Sequence, residues 1–122
     1  KKEDPEFKLK TLLRLRISDA LNREISGGKV GKTHSSMELL GCNIKFYREY
    51  IEMQLLPECT WDNHGEVWEI DHIKPCHEFD LRDELQQKQC FNFINTRPLF
   101  KTTQIAQNFG YFDIIGNRDR DK

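Results

Sequence analysis

"VWEIDHIKPC", residues 67–76, decides how the second half of the chain is read. Val67, Trp68 and Ile70 make an apolar, β-branched and aromatic run, and Asn63-His64-Gly65 before it has turn chemistry. A strand over 67–73 is expected. Lys74-Pro75 stops it, because proline cannot donate to a strand ladder. Asp71 and His72 stand side by side just before that stop. Adjacent strand residues point to opposite faces, so for both to serve one reactant the backbone must bend at 71–73.

Downstream, residues 76–94 read as a long connection with a helix over 83–91. "NTRPLF", residues 95–100, reads as a second strand. Thr102 or Thr103 can cap a helix running through Gln104 to Asn108, which Gly110 ends. The tail "IIGNRDRDK" is polar and charged. Asn95, opening the second strand, is well placed to hold the bend after His72 by bonding its amide to the loop backbone.

Upstream, Asp4-Pro5 supplies an N-cap and a proline at the first helical position. Leu9, Leu13, Ile17, Leu21 and Ile25 recur every four residues, one face of a helix that Gly27-Gly28 ends. Lys8, Lys10, Arg14, Arg16 and Arg23 lie mostly off that face. The basic loop that follows, with Lys29 and Lys32, lacks the glycine register and preceding strand of a Walker phosphate loop. Ser35 and Glu38 form a capping box for a short helix over 36–40, which Gly41 breaks. A further helix over 44–55 carries Ile44, Tyr47, Ile51 and Leu55 on its inner stripe. Two helices across a glycine resemble a helix-turn-helix weakly; plain scaffold is the simpler reading.

The totals bound the class. A chain of 122 residues suits one domain, divided into a basic helical part over 1–56 and a core over 57–122. Aromatics at 11% argue against disorder. No apolar run is long enough to span a membrane and no secretion-like segment opens the chain, so a soluble intracellular protein, cytoplasmic or nuclear, is expected. The net charge of −1 conceals an asymmetry: residues 1–48 hold 11 Lys and Arg against 6 Asp and Glu, while residues 49–122 hold 8 against 14. A basic half can follow phosphates and an acidic half can hold a cation. Cys42, Cys59, Cys76 and Cys90 are widely separated with no C-x-x-C pair, so buried reduced thiols are favoured over a disulfide framework or a zinc site.

Asp71, His72, Asn95 and the last helix are the parts that phosphodiester hydrolysis needs. Histidine titrates near neutrality and suits activation of water. A carboxylate with an amide oxygen suits Mg²⁺, which keeps several waters and takes few protein ligands. "DHIKP" followed by "NTRPL" and a short helix resembles the HNH nucleases, the ββα-metal or His-Me finger fold. "MELLGC", "WDNHG", "DHIKPC", "FDL", "QQKQCF" and "NTRPLF", in that order over residues 37–117, resemble most the HNH endonucleases of phages and large DNA viruses.

The resemblance implies an α+β fold in which N-terminal helices pack on a ββα-metal core of a short antiparallel hairpin and a metal-binding helix. It implies a divalent-metal-dependent endonuclease that leaves 5′-phosphate and 3′-hydroxyl ends on double-stranded DNA. Asp71 takes the place of the metal-binding acid, His72 of the general base and Asn95 of the residue fixing the base's loop. The cation would be Mg²⁺, with Mn²⁺ or Zn²⁺ as alternatives. The family's helix ligand is Asn or His, and the usual spacing from Asn95 lands on Gln104; Asn108 one turn on, and Asn117, are the other candidates. Lys8, Arg14, Arg16, Lys29, Lys32, Arg97 and Lys101 are expected to contact phosphates, as are Arg118 and Arg120. His34, His64 and His77 are assigned to structure or surface, and Trp61 and Trp68 to packing. A catalytically degenerate HNH-fold DNA-binding protein, and a zinc-stabilised interaction domain, are the competing readings.

Overall fold

The computed structural model describes residues 4–24 and 35–120. Helix α1, Pro5–Glu24, starts at the proline, has Glu6 in its first turn against the helix dipole, and buries Leu9, Leu13, Ile17 and Leu21. Ile25, the glycine stop, Lys29 and Lys32 lie outside the described residues. Helix α2, Ser36–Leu40, is closed by the expected box: Ser35 Oγ accepts from Glu38 N at 3.2 Å and Glu38 Oε1 accepts from Ser35 N at 2.9 Å. Gly41 caps it at φ 84°, a left-handed conformation that favours glycine.

Helix α3, Ile44–Glu52, is capped by Asn43, whose Oδ1 accepts from Phe46 N. It stops short of the expected Leu55. Gln54 N bonds to Ile51 O and Leu55 N to Glu52 O, so the last turn tightens to three-residue spacing. Pro57 also disfavours helix at the residue before it.

Strands β1, Trp68–His72, and β2, Thr96–Phe100, pair antiparallel, Trp68 opposite Phe100 and His72 opposite Thr96. Between them α4, Glu84–Phe91, is capped by Asp83; after them α5, Thr103–Asn108, is capped by Thr102. The architecture is α+β.

A lone two-stranded hairpin is marginal in water, so it must be covered. Leu9 and Leu13 of α1, Leu40 of α2, and Tyr47 and Ile51 of α3 close over Trp68, Ile70, Phe100 and Ala106. Burying an aliphatic side chain as completely as Leu9 is worth about 1.5–3 kcal/mol. The second half of α1 packs Ile17, Ala20 and Leu21 against Leu39, Leu81, Cys90 and Phe91. Helix α1 is therefore a shared wall, facing the hairpin at one end and α4 at the other. Tyr47 ties α3 to β2: Thr96 Oγ1 donates to Phe93 O, so it accepts from the Tyr47 hydroxyl at 2.8 Å.

Two buried groups make the fold acid-sensitive. His64, 7% exposed, lies flat on Trp68 with ring centroids 4.2 Å apart. Burial, then the Lys8 and Arg16 charges, pushes its pKa down to about 4 from 6.5. The unfolded chain therefore takes up this proton before the folded one does, and stability falls as pH drops from about 6.5 to about 4. Glu69 is buried, which alone would raise its pKa, but Arg118 and Asn117 outweigh burial and bring it to about 2. Its contribution is complete above about 4.5 and is lost as pH falls toward 2. Urea midpoints measured from pH 7 to pH 3 should decline throughout, and His64→Phe should remove the limb between 6.5 and 4. A midpoint constant from pH 7 to 4 in the unmodified protein would contradict this account.

Candidate functional site around His72

The expected strand stop is present, but the bend lies later than expected. β1 stays paired through His72, and the chain bends at Ile73–Lys74. Asn95 holds that bend. Its Oδ1 accepts from Lys74 N at 2.9 Å, and its Nδ2 donates to Lys74 O and to Cys90 O, each at 3.0 Å. Ile73 N adds a bond to Asn95 O at 2.8 Å. One amide thus pins the loop after His72 to the start of β2 and to the end of α4.

Because the strand is regular through His72, Asp71 and His72 leave it on opposite faces. This corrects the expectation of a shared face. Asp71 lies directly opposite Arg97 and is 1% exposed. Its Oδ2 accepts from Arg97 Nε at 3.3 Å and forms an ion pair with Arg120, whose guanidinium also donates to His72 O and Ile73 O. A buried carboxylate needs such compensation. A hydrated Mg²⁺ needs a carboxylate with room for several waters. Asp71, enclosed and already neutralised by two guanidiniums, does not fit that requirement as arranged.

His72 is half-buried, edge-on to Phe91 with centroids 6.0 Å apart. Beside it the thiols of Cys76 and Cys90 converge, with Cys90 Sγ donating to Cys76 Sγ at 3.3 Å. One ligand atom from each of His72, Cys76 and Cys90 lies within 4.8 Å of the others, so the three form a group able to hold a metal ion. The Cys76 thiol is drawn well below the usual thiol range, first by the Cys90 donor; burial opposes this, and the His72 bond and charge reinforce it. The two thiols are not joined in a disulfide; Cys90 is buried and Cys76 half-buried. Spacing in sequence could not reveal the trio: Cys76 sits in a one-turn 3₁₀ helix after Pro75 and Cys90 on α4, fourteen residues on.

His72 and Cys76 open onto a cavity of about 850 Å³. Arg16, Arg23, Arg118 and Arg120 line it, with His77, against the carboxylates of Asp19 and Glu69. The arginines outnumber the acids, so the cavity favours an anion.

Several of the residues expected to contact phosphate have internal partners. Arg16 Nη1 donates to Ile70 O at 2.6 Å, latching α1 to β1. Arg118 clasps Glu69 through Nε and Nη2 at 2.9 and 2.6 Å, and Asn117 Nδ2 donates to the same carboxylate at 2.8 Å. Asn117 is therefore a buried partner of Glu69. Lys101 Nζ donates to Gly65 O, while Arg14 is exposed and Lys8 half-buried. Gln104 and Asn108 are exposed and bond to each other, Gln104 Nε2 donating to Asn108 Oδ1 at 2.9 Å. His77 is exposed at the cavity, and His64 is a packing residue. Among the described residues no helix is long and apolar enough to cross a membrane.

No protein-family model matches the chain. No solved structure matches it either. It is similar to two proteins of Acanthamoeba polyphaga mimivirus. It is 42% identical to uncharacterized protein L246 over 107 residues, 88% of this chain and 44% of that protein. It is 38% identical to uncharacterized protein L426 over 96 residues, 79% of this chain and 40% of that protein. The chain spans less than half the length of these curated relatives.

Proposed function

We propose that the protein is an HNH-type endonuclease that hydrolyses DNA phosphodiester bonds and requires a divalent cation. The observation that carries this reading is His72 at the end of a hairpin strand, facing an arginine-lined cavity, with Asn95 pinning the loop behind it. His72 would take the proton from a water that attacks phosphorus in line, while the P–O3′ bond breaks and the leaving 3′ oxygen takes a proton from solvent. Asn95 positions His72 by holding the 73–75 loop and does not touch substrate. Each guanidinium has five N–H donors, so Arg16, Arg118 and Arg120 keep donors for phosphate oxygens beyond their internal bonds. The cation requirement follows from the resemblance to the HNH nucleases; Asp71, already paired with Arg97 and Arg120, does not offer a ligand as arranged.

That neutralised Asp71, together with the Gln104–Asn108 pair, favours one second reading: an HNH-fold protein that binds DNA without cutting it. Supercoiled plasmid incubated with Mg²⁺ or Mn²⁺ separates the two. Nicked or linear product that EDTA abolishes, with 5′-phosphate ends, is expected. Salt-sensitive DNA binding without cleavage in either metal would establish the second reading instead.

A further inference from the structure

We infer that His72, Cys76 and Cys90 form a binding site for a borderline-soft divalent cation of the Zn²⁺ class. Tetrahedral Zn²⁺ sits about 2.3 Å from sulfur and about 2.0–2.1 Å from nitrogen, which places ligand atoms about 3.5–3.8 Å apart. The two sulfurs are 3.3 Å apart and all three ligand atoms lie within 4.8 Å of one another. Shifts of less than about 1 Å therefore close the triangle onto a metal. The donor set is two thiolates and an imidazole, which selects Zn²⁺ or Co²⁺ and excludes Mg²⁺ as a competitor.

The three ligands are already held by the fold. His72 is fixed by strand pairing with Thr96, Cys76 by the turn that Phe79 N closes on its carbonyl, and Cys90 by the core under α1. Cys90 is fully buried, so this is not a chance meeting of surface thiols. His72 and Cys76 line the cavity, which leaves space there for a fourth, exchangeable ligand such as water. Three protein ligands with an open fourth position differ from a closed structural site. Neutral imidazole has a single basic nitrogen, so a metal held there and the general-base role of His72 exclude each other, and Zn²⁺ in this site would inhibit the proposed cleavage.

The site is argued from the ligands alone and does not depend on the nuclease reading; its test reads no cleavage, so the two can fail separately. The reduced full chain is titrated with Co²⁺ and then Zn²⁺. One equivalent of Co²⁺ should bind with thiolate-to-cobalt charge-transfer absorption and tetrahedral d–d bands, displaced by one equivalent of Zn²⁺ and not by Mg²⁺. Cys76→Ala should weaken binding by more than the about 10–100-fold that loss of an outer partner costs, and Cys42→Ala should leave it unchanged. Should Cys76→Ala lose its circular-dichroism signature, alkylation of the unmodified chain decides: Zn²⁺ should protect Cys76 and leave Cys42 reactive. Absent charge-transfer absorption, absorption that survives Cys76→Ala in a folded variant, or Zn²⁺ that leaves Cys76 open to alkylation would each overturn the assignment.

Discussion

Replacing His72 with alanine should reduce plasmid cleavage by about 10²–10⁴-fold, the usual contribution of a positioned general base. Binding to DNA should change little, because the arginines around the cavity remain. The distinction matters, since a merely structural histidine would lower both together. His72 is only half-buried, and the aromatic contact it would lose is its edge-to-face packing on Phe91, worth about 0.5–1.5 kcal/mol in such pairs. The variant should therefore stay folded, which its urea midpoint would verify. Cleavage at the unmodified rate would remove His72 from the mechanism and point to a contaminating nuclease or a different base. Cleavage lost together with DNA binding and a cooperative transition would mean that His72 supports the fold.

The parts of the fold that could be read in advance are those whose cause is local. Ser35 and Glu38 are three residues apart and reach each other's backbone whatever else the chain does. The same holds for Asp83 before α4 and Thr102 before α5, and for the four-residue repeat that buries Leu9 to Leu21. The first strand of the hairpin was legible because Asn63-His64-Gly65 precedes it and Pro75 follows it.

What escaped was pairing over long separations. Arg120 reaches Asp71 across 49 positions, and Arg118 reaches Glu69 across the same distance. No local pattern encodes such contacts. The tail therefore read as polar and charged, with Arg118 and Arg120 as phosphate contacts, although it supplies counterions to both acids on β1. One of these pairs did leave a signal. Once Trp68 is set opposite Phe100, counting along the ladder puts Asp71 opposite Arg97, so a cross-strand ion pair was available to inspection. Reading Asp71 as a metal ligand passed over it. The convergence of Cys76 and Cys90 left none, because it depends on how α4 returns over the end of β1.

The tail's attachment has one point of failure, and Gly116→Ala should expose it. Gly116 is buried with ordinary backbone angles, so its role is not conformational freedom. It is close approach: an added Cβ would lie 2.1 Å from the Thr102 carbonyl carbon, 2.3 Å from Thr102 Cα and 2.4 Å from Thr103 N. All three are backbone atoms at the start of α5, so neither side can yield by rotating a side chain. The tail must lift away, and with it go Gly116 N to Thr103 Oγ1, Thr103 N to Asp119 Oδ2 and Arg118 N to Lys101 O. Lifting also loosens Arg118 and Asn117 from Glu69 and Arg120 from Asp71, leaving two buried carboxylates short of partners. Overpacking alone costs about 1–3 kcal/mol, and breaking a buried ion pair about 3–5 kcal/mol, so a loss of at least about 3 kcal/mol is expected in urea denaturation. Gly110→Ala is the matched comparison. It sits at φ 93° with nothing within 4 Å of an added Cβ, so only backbone strain of about 1–3 kcal/mol is at stake. Gly116→Ala should therefore be the more damaging of the two, although it demands no unusual backbone. Equal losses would mean that the tail is not seated on α5 and that Asp71 and Glu69 find their counterions elsewhere.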